Sequence, residues 1–324
     1  MSTMPSLSVV IPAYRAEAHL GACLQGFADQ TAPGDSFEVI VVDDASPDGT
    51  AALAERFGVR VVRHLENQGA AAARNSGAEA ATTEVLLFVD SDVVPDPGLV
   101  EGTLAVFATP QVRAATGRYL PEPANDGRFP RYKALWTWHC WERTSAASGR
   151  SGHLQGALSA VRRDDLLAVG GFDGRYEGGN VEDYELSDRL RRAGIDILFD
   201  DRIAGRHHFP GMRTVARNYW DRTRMWVRLM PERKGFSSGQ ANRRSGIAAI
   251  AALGGASGVV CPPLLPVAAL SQGVWLVASA PFLRFVARRE GLGFALYAAA
   301  VHYALSTVVG AAAVSAPLGR GSRR

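Results

Sequence analysis

Three acid pairs in this 324-residue chain stand where carboxylates can do chemistry. The stretch LLFVDSDVVPD, residues 86–96, runs four apolar residues straight into Asp90 and Asp92, with only Ser91 between them. Asp43 and Asp44 end a second apolar run, FEVIVVDDAS, and Glu182 and Asp183 open EDYELSDRLRRAG. Carboxylates at a strand end either cap the next turn or hold a hard cation. Cys23, Cys140 and Cys261 form no Cys-x-x-Cys spacing, so neither a zinc knuckle nor a disulfide framework is suggested.

The elements that must position these acids follow from hydrophobic period. SLSVVIPAY, FEVIVVDDAS, VRVVRHL and EVLLFVDSD read as strands, because each is a short β-branched run bounded by turn residues. EAHLGACLQGFADQ carries Leu20, Cys23, Leu24 and Phe27 at helical spacing. DGTAALAERFG and NQGAAAARNSGAEAA read as two further helices. The predicted fold class is therefore α/β, a βαβαβαβ succession with a mainly parallel central sheet covered on both faces. Such sheets bind ligands beyond their carboxyl-terminal strand ends, and Pro12 to Arg15, Asp43-Asp44 and Asp90-Ser91-Asp92 all fall there. PAYRAEAHLG has no G-x-G-x-x-G, which argues against a dinucleotide fold, and no Walker pattern occurs.

Hydrophobic residues make up 47% of the chain, enough for a sizeable core and a second unit, and the formal charge is only +3. From Gly246 there is no charge until Arg284, and a second apolar run spans about 291–317. Such runs exceed the roughly 20 residues that cross a bilayer. The predicted division is a mixed soluble domain over 1–235, in halves of about 1–120 and 121–235, and a membrane region over 236–324. That region holds two or three apolar helices, at about 247–262, 264–284 and 291–316. Two spans put Arg284, Arg288 and Arg289 on the far side; three keep them inside but export the GRGSRR tail. No basic region precedes a long apolar run at the N-terminus, so the leading domain is expected in the cytoplasm and the chain in the inner or plasma membrane, multi-pass. Basic residues interleave with membrane segments, which gives nucleic-acid binding little support.

Taken together, VVIPAYRAEAHLGACLQGFADQ, VIVVDDASPDGT, ENQGAAAARNSG, VLLFVDSD and GGNVEDYELSDRLRRAG resemble the family 2 glycosyltransferases with the nucleotide-sugar-binding GT-A fold, over about residues 7–210. The resemblance implies a nucleotide-diphosphate sugar as donor and Mn2+ or Mg2+ as cofactor. It implies Asp92 as metal contact and Asp90 nearer the ribose. It further implies Asp44 accepting from the base, Asp43 holding the strand end, and Pro12, Ala13 and Tyr14 lining the base pocket. Arg74 would pair with uracil or the diphosphate; Gln155 and Gly156 would lie on the acceptor and diphosphate side. His207 or His208 would add a metal ligand, a neutral imidazole being suited to Mn2+. The family's ED motif falls on Glu182 and Asp183, which implies Asp183 as base and Glu182 as support for the acceptor. Each has a plainer rival: Asp43 and Asp92 as turn caps, Arg74 as a surface residue, the histidines as core polar groups, and the acid pair as charges at a helix start. At that start the helix dipole is expected to lower both carboxyl pKa values, which argues against a general acid.

YKALWTWHCWERT collects Trp136, Trp138 and Trp141 with Tyr132, and RNYWDRTRMWVRL mixes tryptophans with arginines. The first could pack a core helix, or form an amphipathic element at the lipid interface or a wall near a lipid acceptor; the arginines of the second suit anionic headgroups or a phosphate on a lipid carrier. DRTRMW lacks the Gln-x-x-Arg-Trp of processive sugar polymerases in the broader family, which weakens a polysaccharide-synthase reading. The expected activity is inverting, metal-dependent transfer of a sugar to a hydroxyl of a lipid-linked or cell-envelope acceptor, with membrane lipid as a further partner. The alternatives are a polyprenyl-phosphate sugar synthase, whose anionic acceptor needs no base, and a non-catalytic sugar-binding or scaffold protein.

Overall fold

The computed structural model describes residues 6–143, 149–175, 182–229, 243–260 and 262–316. By contacts the chain divides into two units, Met1–Gly127 with Trp141–Phe209, and Arg128–Cys140 with Pro210–Arg324.

In the first unit the four expected strands form as β1 (Leu7–Ala13), β2 (Phe37–Asp43), β3 (Arg60–Arg63) and β4 (Val85–Val89). Between them run α1 (Glu17–Ala28), α2 (Thr50–Arg56) and α3 (Ala70–Ala80). The strands lie parallel in the order β3-β2-β1-β4. β1 and β4 are buried along their whole length, as continuously apolar strands covered on both faces must be. α1 buries Leu20, Cys23, Leu24 and Phe27, the stripe read from its spacing. Asp48 does turn chemistry: its Oδ1 accepts from the Thr50 N–H and hydroxyl at 3.2 and 2.5 Å.

The sheet continues with β5 (Val93–Pro95), β6 (Ala114–Tyr119), β7 (Leu158–Arg162) and β8 (Ile197–His207), in the full order β3-β2-β1-β4-β7-β6-β8-β5. β7 is antiparallel to β4 and β6, β6 is parallel to β8, and β5 is antiparallel to β8. Helix α4 (Leu99–Phe107) follows β5, α6 (Arg163–Ala168) follows β7, and α7 (Glu182–Arg192) precedes β8.

The second unit holds most of α5 (Arg128–Trp141) and all of α8 (Met212–Leu229), α9 (Arg243–Val260), α10 (Leu265–Glu290) and α11 (Leu292–Ser315). Pro262–Glu290 and Leu292–Ser315, 29 and 24 residues, are long and apolar enough to cross a membrane. Pro281 has no N–H, so the carbonyl one turn earlier in α10 loses its helical donor. Arg244 of α9 fills the gap, donating to Ala278 O at 2.7 Å and Val277 O at 3.1 Å. Two aromatics singled out in the sequence serve packing. The Tyr132 hydroxyl meets His302 Nδ1 at 3.0 Å, and Trp136 sits edge-on to Phe282 at 4.9 Å, in a cluster shared by α5, α8, α10 and α11.

Candidate active site

The register of the parallel strands assembles the site. Ala13 pairs with Asp43 across β1 and β2, and the Asp44 N–H donates to Ala13 O at 2.9 Å. β4 flanks β1 on its other side, so the acid pair 90/92 emerges beside the end of β1. Pro12 and Ala13 are buried at that end, while Tyr14 is exposed with the Arg15 guanidinium 5.3 Å from its ring centre.

Asp44 is buried and its carboxylate is well supplied with donors. Oδ1 accepts the Gln68 N–H at 2.9 Å and meets His64 Nδ1 at 2.7 Å, and Oδ2 accepts the Gly69 N–H at 2.8 Å. His64 Nε2 continues to the Ser76 hydroxyl at 2.8 Å. Asp43 Oδ1 accepts the Ser46 N–H at 3.3 Å, the turn-capping contact weighed for it above.

Arg74 is not a surface residue. It is 4% exposed, and its guanidinium spans two acid pairs, Nη2 donating to Asp90 Oδ1 at 2.8 Å and Nη1 to Glu182 Oε1 at 3.0 Å. Two glycines make room for it. Gly77 brings α3 onto β1, where a Cβ would fall 2.2 Å from Val10 Cγ1. At Gly156 a Cβ would stand 3.0 Å from Arg74 Nη2. Antiparallel β7 delivers that glycine, since Leu158 pairs with Val89 and the Asp90 N–H donates to Ala157 O at 3.3 Å. Gln155 lies alongside with its N–H on Thr116 Oγ1 at 3.1 Å and its side-chain oxygen buried. Asn75, the next residue of α3, clamps Phe172 through both its N–H and its carbonyl at 2.8 Å. The Phe172 ring in turn lies 5.4 Å below the Arg74 guanidinium.

Glu182 and Asp183 do open a helix, but the expected lowering is overturned at Glu182. That side chain is buried, and burial together with the Asp183 charge pushes its carboxyl up, against the pull of Arg74. The dipole of one helix start is a small local effect; desolvation by surrounding residues outweighs it. Asp183 is half-buried, and its Oδ1 accepts the Tyr184 N–H at 2.8 Å.

Asp92 has the opposite surroundings to Asp44. β5 pairs Val93 with His207, and the His208 N–H donates to Asp92 O at 2.8 Å, which brings both histidines to this acid. His207 Nε2 stands 3.5 Å from Asp92 Oδ1; the His208 ring lies tilted against His19 of α1, centroids 3.9 Å apart. Burial and the charge of Asp90 raise the Asp92 carboxyl to about 7. Among the described residues no three His, Cys, Asp or Glu side chains form a ready-made metal cluster. A carboxylate beside an imidazole, short of neutralising donors, nonetheless suits a divalent ion that takes its remaining oxygens from phosphates. His19, His64 and Asn75 were missed in the sequence. His64 lies inside the predicted third strand, VRVVRHL, and directly follows the observed β3, so its place at a strand end is the one signal that could have found it. A separate surface depression bordered by Glu84, Arg113, Arg162 and Asp165 lies at the far end of β4, where those charges pair with one another.

The mostly parallel α/β sheet, with acid pairs after β2 and β4 on either side of β1, has a GT-A-like fold, and solved structures share it. The chain is similar to a mannosyltransferase from Pyrobaculum calidifontis in complex with GDP-Man and Mn2+ (TM-score 0.58, 19% identity, 97% of this chain and 88% of that one). It is also similar to S. aureus TarS 1-349 in complex with UDP-GlcNAc (TM-score 0.51, 17% identity, 94% and 90%). Residues 8–170 match the model of glycosyl transferase family 2, and the chain belongs to that family of glycosyltransferases. Among its relatives are glycosyltransferase AglE of Haloferax volcanii, 29% identical over 64% of this chain and 68% of the relative. The validoxylamine A glucosyltransferase of Streptomyces hygroscopicus subsp. limoneus is 30% identical over 60% and 50%. This chain thus spans about half of some relatives' length.

Proposed function

We propose that the chain transfers one sugar, with inversion, from a nucleotide-diphosphate donor to a hydroxyl of a lipid-linked or cell-envelope acceptor, with a divalent cation as cofactor. The observation that carries this reading is the Arg74 bridge, which holds the 90/92 acid pair and the 182/183 acid pair in one site. A donor diphosphate and an acceptor hydroxyl need two such centres side by side. The Mn2+ and GDP-Man of the Pyrobaculum structure support the cofactor and donor class.

Asp92 and His207 would hold the cation, with His208 and the His19 ring against it alongside. When bound, Mn2+ or Mg2+ supplies charge neutralisation for the departing diphosphate. Asp90, fixed by Arg74, faces the ribose side. Asp44 keeps one lone pair of Oδ2 for a donor from the base, beside Pro12, Ala13 and Tyr14, while Asp43 holds the turn. Gln155 and Gly156 border the diphosphate side. Asp183 takes the proton of the attacking hydroxyl; Glu182, engaged by Arg74, positions it. Functionally the division falls at about residue 235, with the catalytic part cytoplasmic and the apolar helices α10 and α11 anchoring it, multi-pass, in the inner or plasma membrane.

The test incubates the purified full chain with a panel of nucleotide-sugars, Mn2+ or Mg2+, and membrane lipid extract, and reads product mass. A new glycolipid is expected; no transfer or donor hydrolysis across the panel refutes the reading. Asp183→Asn is expected to keep donor affinity within about twofold while transfer falls by a factor on the order of 10²–10⁴. Undiminished transfer would remove Asp183 from the base role.

A further inference from the structure

Three of the arginines of α8 share one face of the helix. At 100° per residue, Arg213, Arg217 and Arg224 fall within about 40° of one another on the helix. Arg213 and Arg217 are exposed; Arg224 is half-buried, with its guanidinium 5.9 Å from the ring centre of Trp220 on the same side. Asp221 lies on the flank of this face and reduces its net charge to two. The opposite face is taken up: Val215 and Tyr219 pack into the cluster that contains Phe282 and Val301.

That cluster fixes the level of α8 within its unit. Arg244, bonded to the carbonyls of Val277 and Ala278, marks one height on α10, and exposed Arg284 lies roughly 9 Å further along the helix. On the other side of Val277 the large exposed residues of α10 are apolar back to Leu265, a length of about 18 Å. The polar–apolar boundary therefore falls between Val277 and Arg284, and α8 packs at that level, in the cluster that holds Phe282 of α10 and Val301 of α11. A tryptophan beside arginines at such a boundary matches the headgroup layer of a bilayer.

We propose that α8 is an interfacial helix whose Arg213–Arg217–Arg224 face binds the anionic headgroups of the membrane that α10 and α11 enter. This rests on reading those helices as membrane-inserted, and the test separates the two. One charge near an anionic surface contributes about fivefold in affinity, so a net two gives roughly thirtyfold. The full chain, purified in neutral detergent, is titrated with phosphatidylglycerol and with phosphatidylcholine, and bound lipid is counted by native mass spectrometry. The expected result is a preference of about thirtyfold for phosphatidylglycerol. R213Q/R217Q/R224Q should lose most of that preference at unchanged melting temperature, and R213K/R217K/R224K should keep it, because attraction to headgroups needs charge and not a guanidinium fork. Equal binding of the two lipids by the unaltered chain, or a preference intact in the glutamine variant, overturns the proposal. Displacement of phosphatidylglycerol by millimolar inorganic phosphate would assign the face to free phosphate instead and overturn it too. Recovery of the chain in the soluble fraction without detergent would refute the membrane reading and the headgroup assignment together; recovery in membranes without lipid preference would refute only the latter.

Discussion

Two strand ends in the same sheet carry the same chemical feature and complete it in opposite ways. After β2, Asp44 is buried and receives two backbone N–H groups and a histidine nitrogen, all within 2.9 Å. After β4, Asp92 has Asp90 as a like-charged neighbour and His207 Nε2 only at 3.5 Å, and its carboxyl is raised to about 7. Protein donors satisfy the first acid. The second keeps charge that the fold leaves for something else to neutralise, which suits a cation, whereas the first has only a lone pair of Oδ2 left, which suits a neutral N–H donor.

The largest break in this comparison is expected at Arg74, whose guanidinium bonds Asp90 directly. Arg74→Ala would take the guanidinium from Glu182, which is 3% exposed, and free Asp90 to repel Asp92. Removing one partner of a buried ion pair costs about 3–5 kcal/mol. Thermal unfolding of the full chain in detergent should show that loss, and a melting point within a degree or two of the unaltered chain would mean the bridge is not structural. Arg74→Lys should recover part of the stability, since one ammonium cannot fork between two carboxylates.

A smaller effect is expected at Asp44. Asp44→Asn keeps the shape but replaces one acceptor oxygen by an NH2 that must face the N–H of Gln68 or Gly69. Loss of a charge-assisted bond together with a donor–donor clash costs about 2 kcal/mol. No destabilisation would show that the segment 67–69 is held by other contacts.

How far this contrast was legible in the sequence depends on the range of the interaction. The β1–β4 succession and the stripe of α1 were readable because they depend on local period. The convergence of Asp44 and Asp92 on one end of the sheet followed from the rule for parallel strands. What was not readable was which acid is satisfied. His64 reaches Asp44 across 20 residues, and Arg74 reaches Glu182 across 108, through the space left at Gly156 by an antiparallel strand that periodicity does not announce. The short β5, three residues long, is also invisible to a period-2 count, yet it brings His207 to Asp92. At Glu182 the helix-start argument even had the wrong sign, because a dipole can be read from neighbours in sequence and burial cannot.

The smallest effect is the most discriminating. Asp92→Asn removes a charge that burial and Asp90 make unfavourable, so the metal-free chain should be no less stable than the unaltered one. The Asp92 side chain is 36% open to solvent, and screening limits the gain to at most about 1 kcal/mol. Asparagine therefore destabilises at residue 44 and not at residue 92. Addition of Mn2+ with a nucleoside diphosphate should then reverse the order at the second site. Ligand at about 100 times its dissociation constant stabilises the unaltered chain by about 2.7 kcal/mol, and Asp92→Asn should gain little of this. If asparagine destabilises both sites alike without ligand, Asp92 is satisfied by protein donors as Asp44 is, and the cation must be held elsewhere. If the stabilisation by metal and nucleotide survives the substitution, the charge left over at the end of β4 has a different purpose from the one proposed.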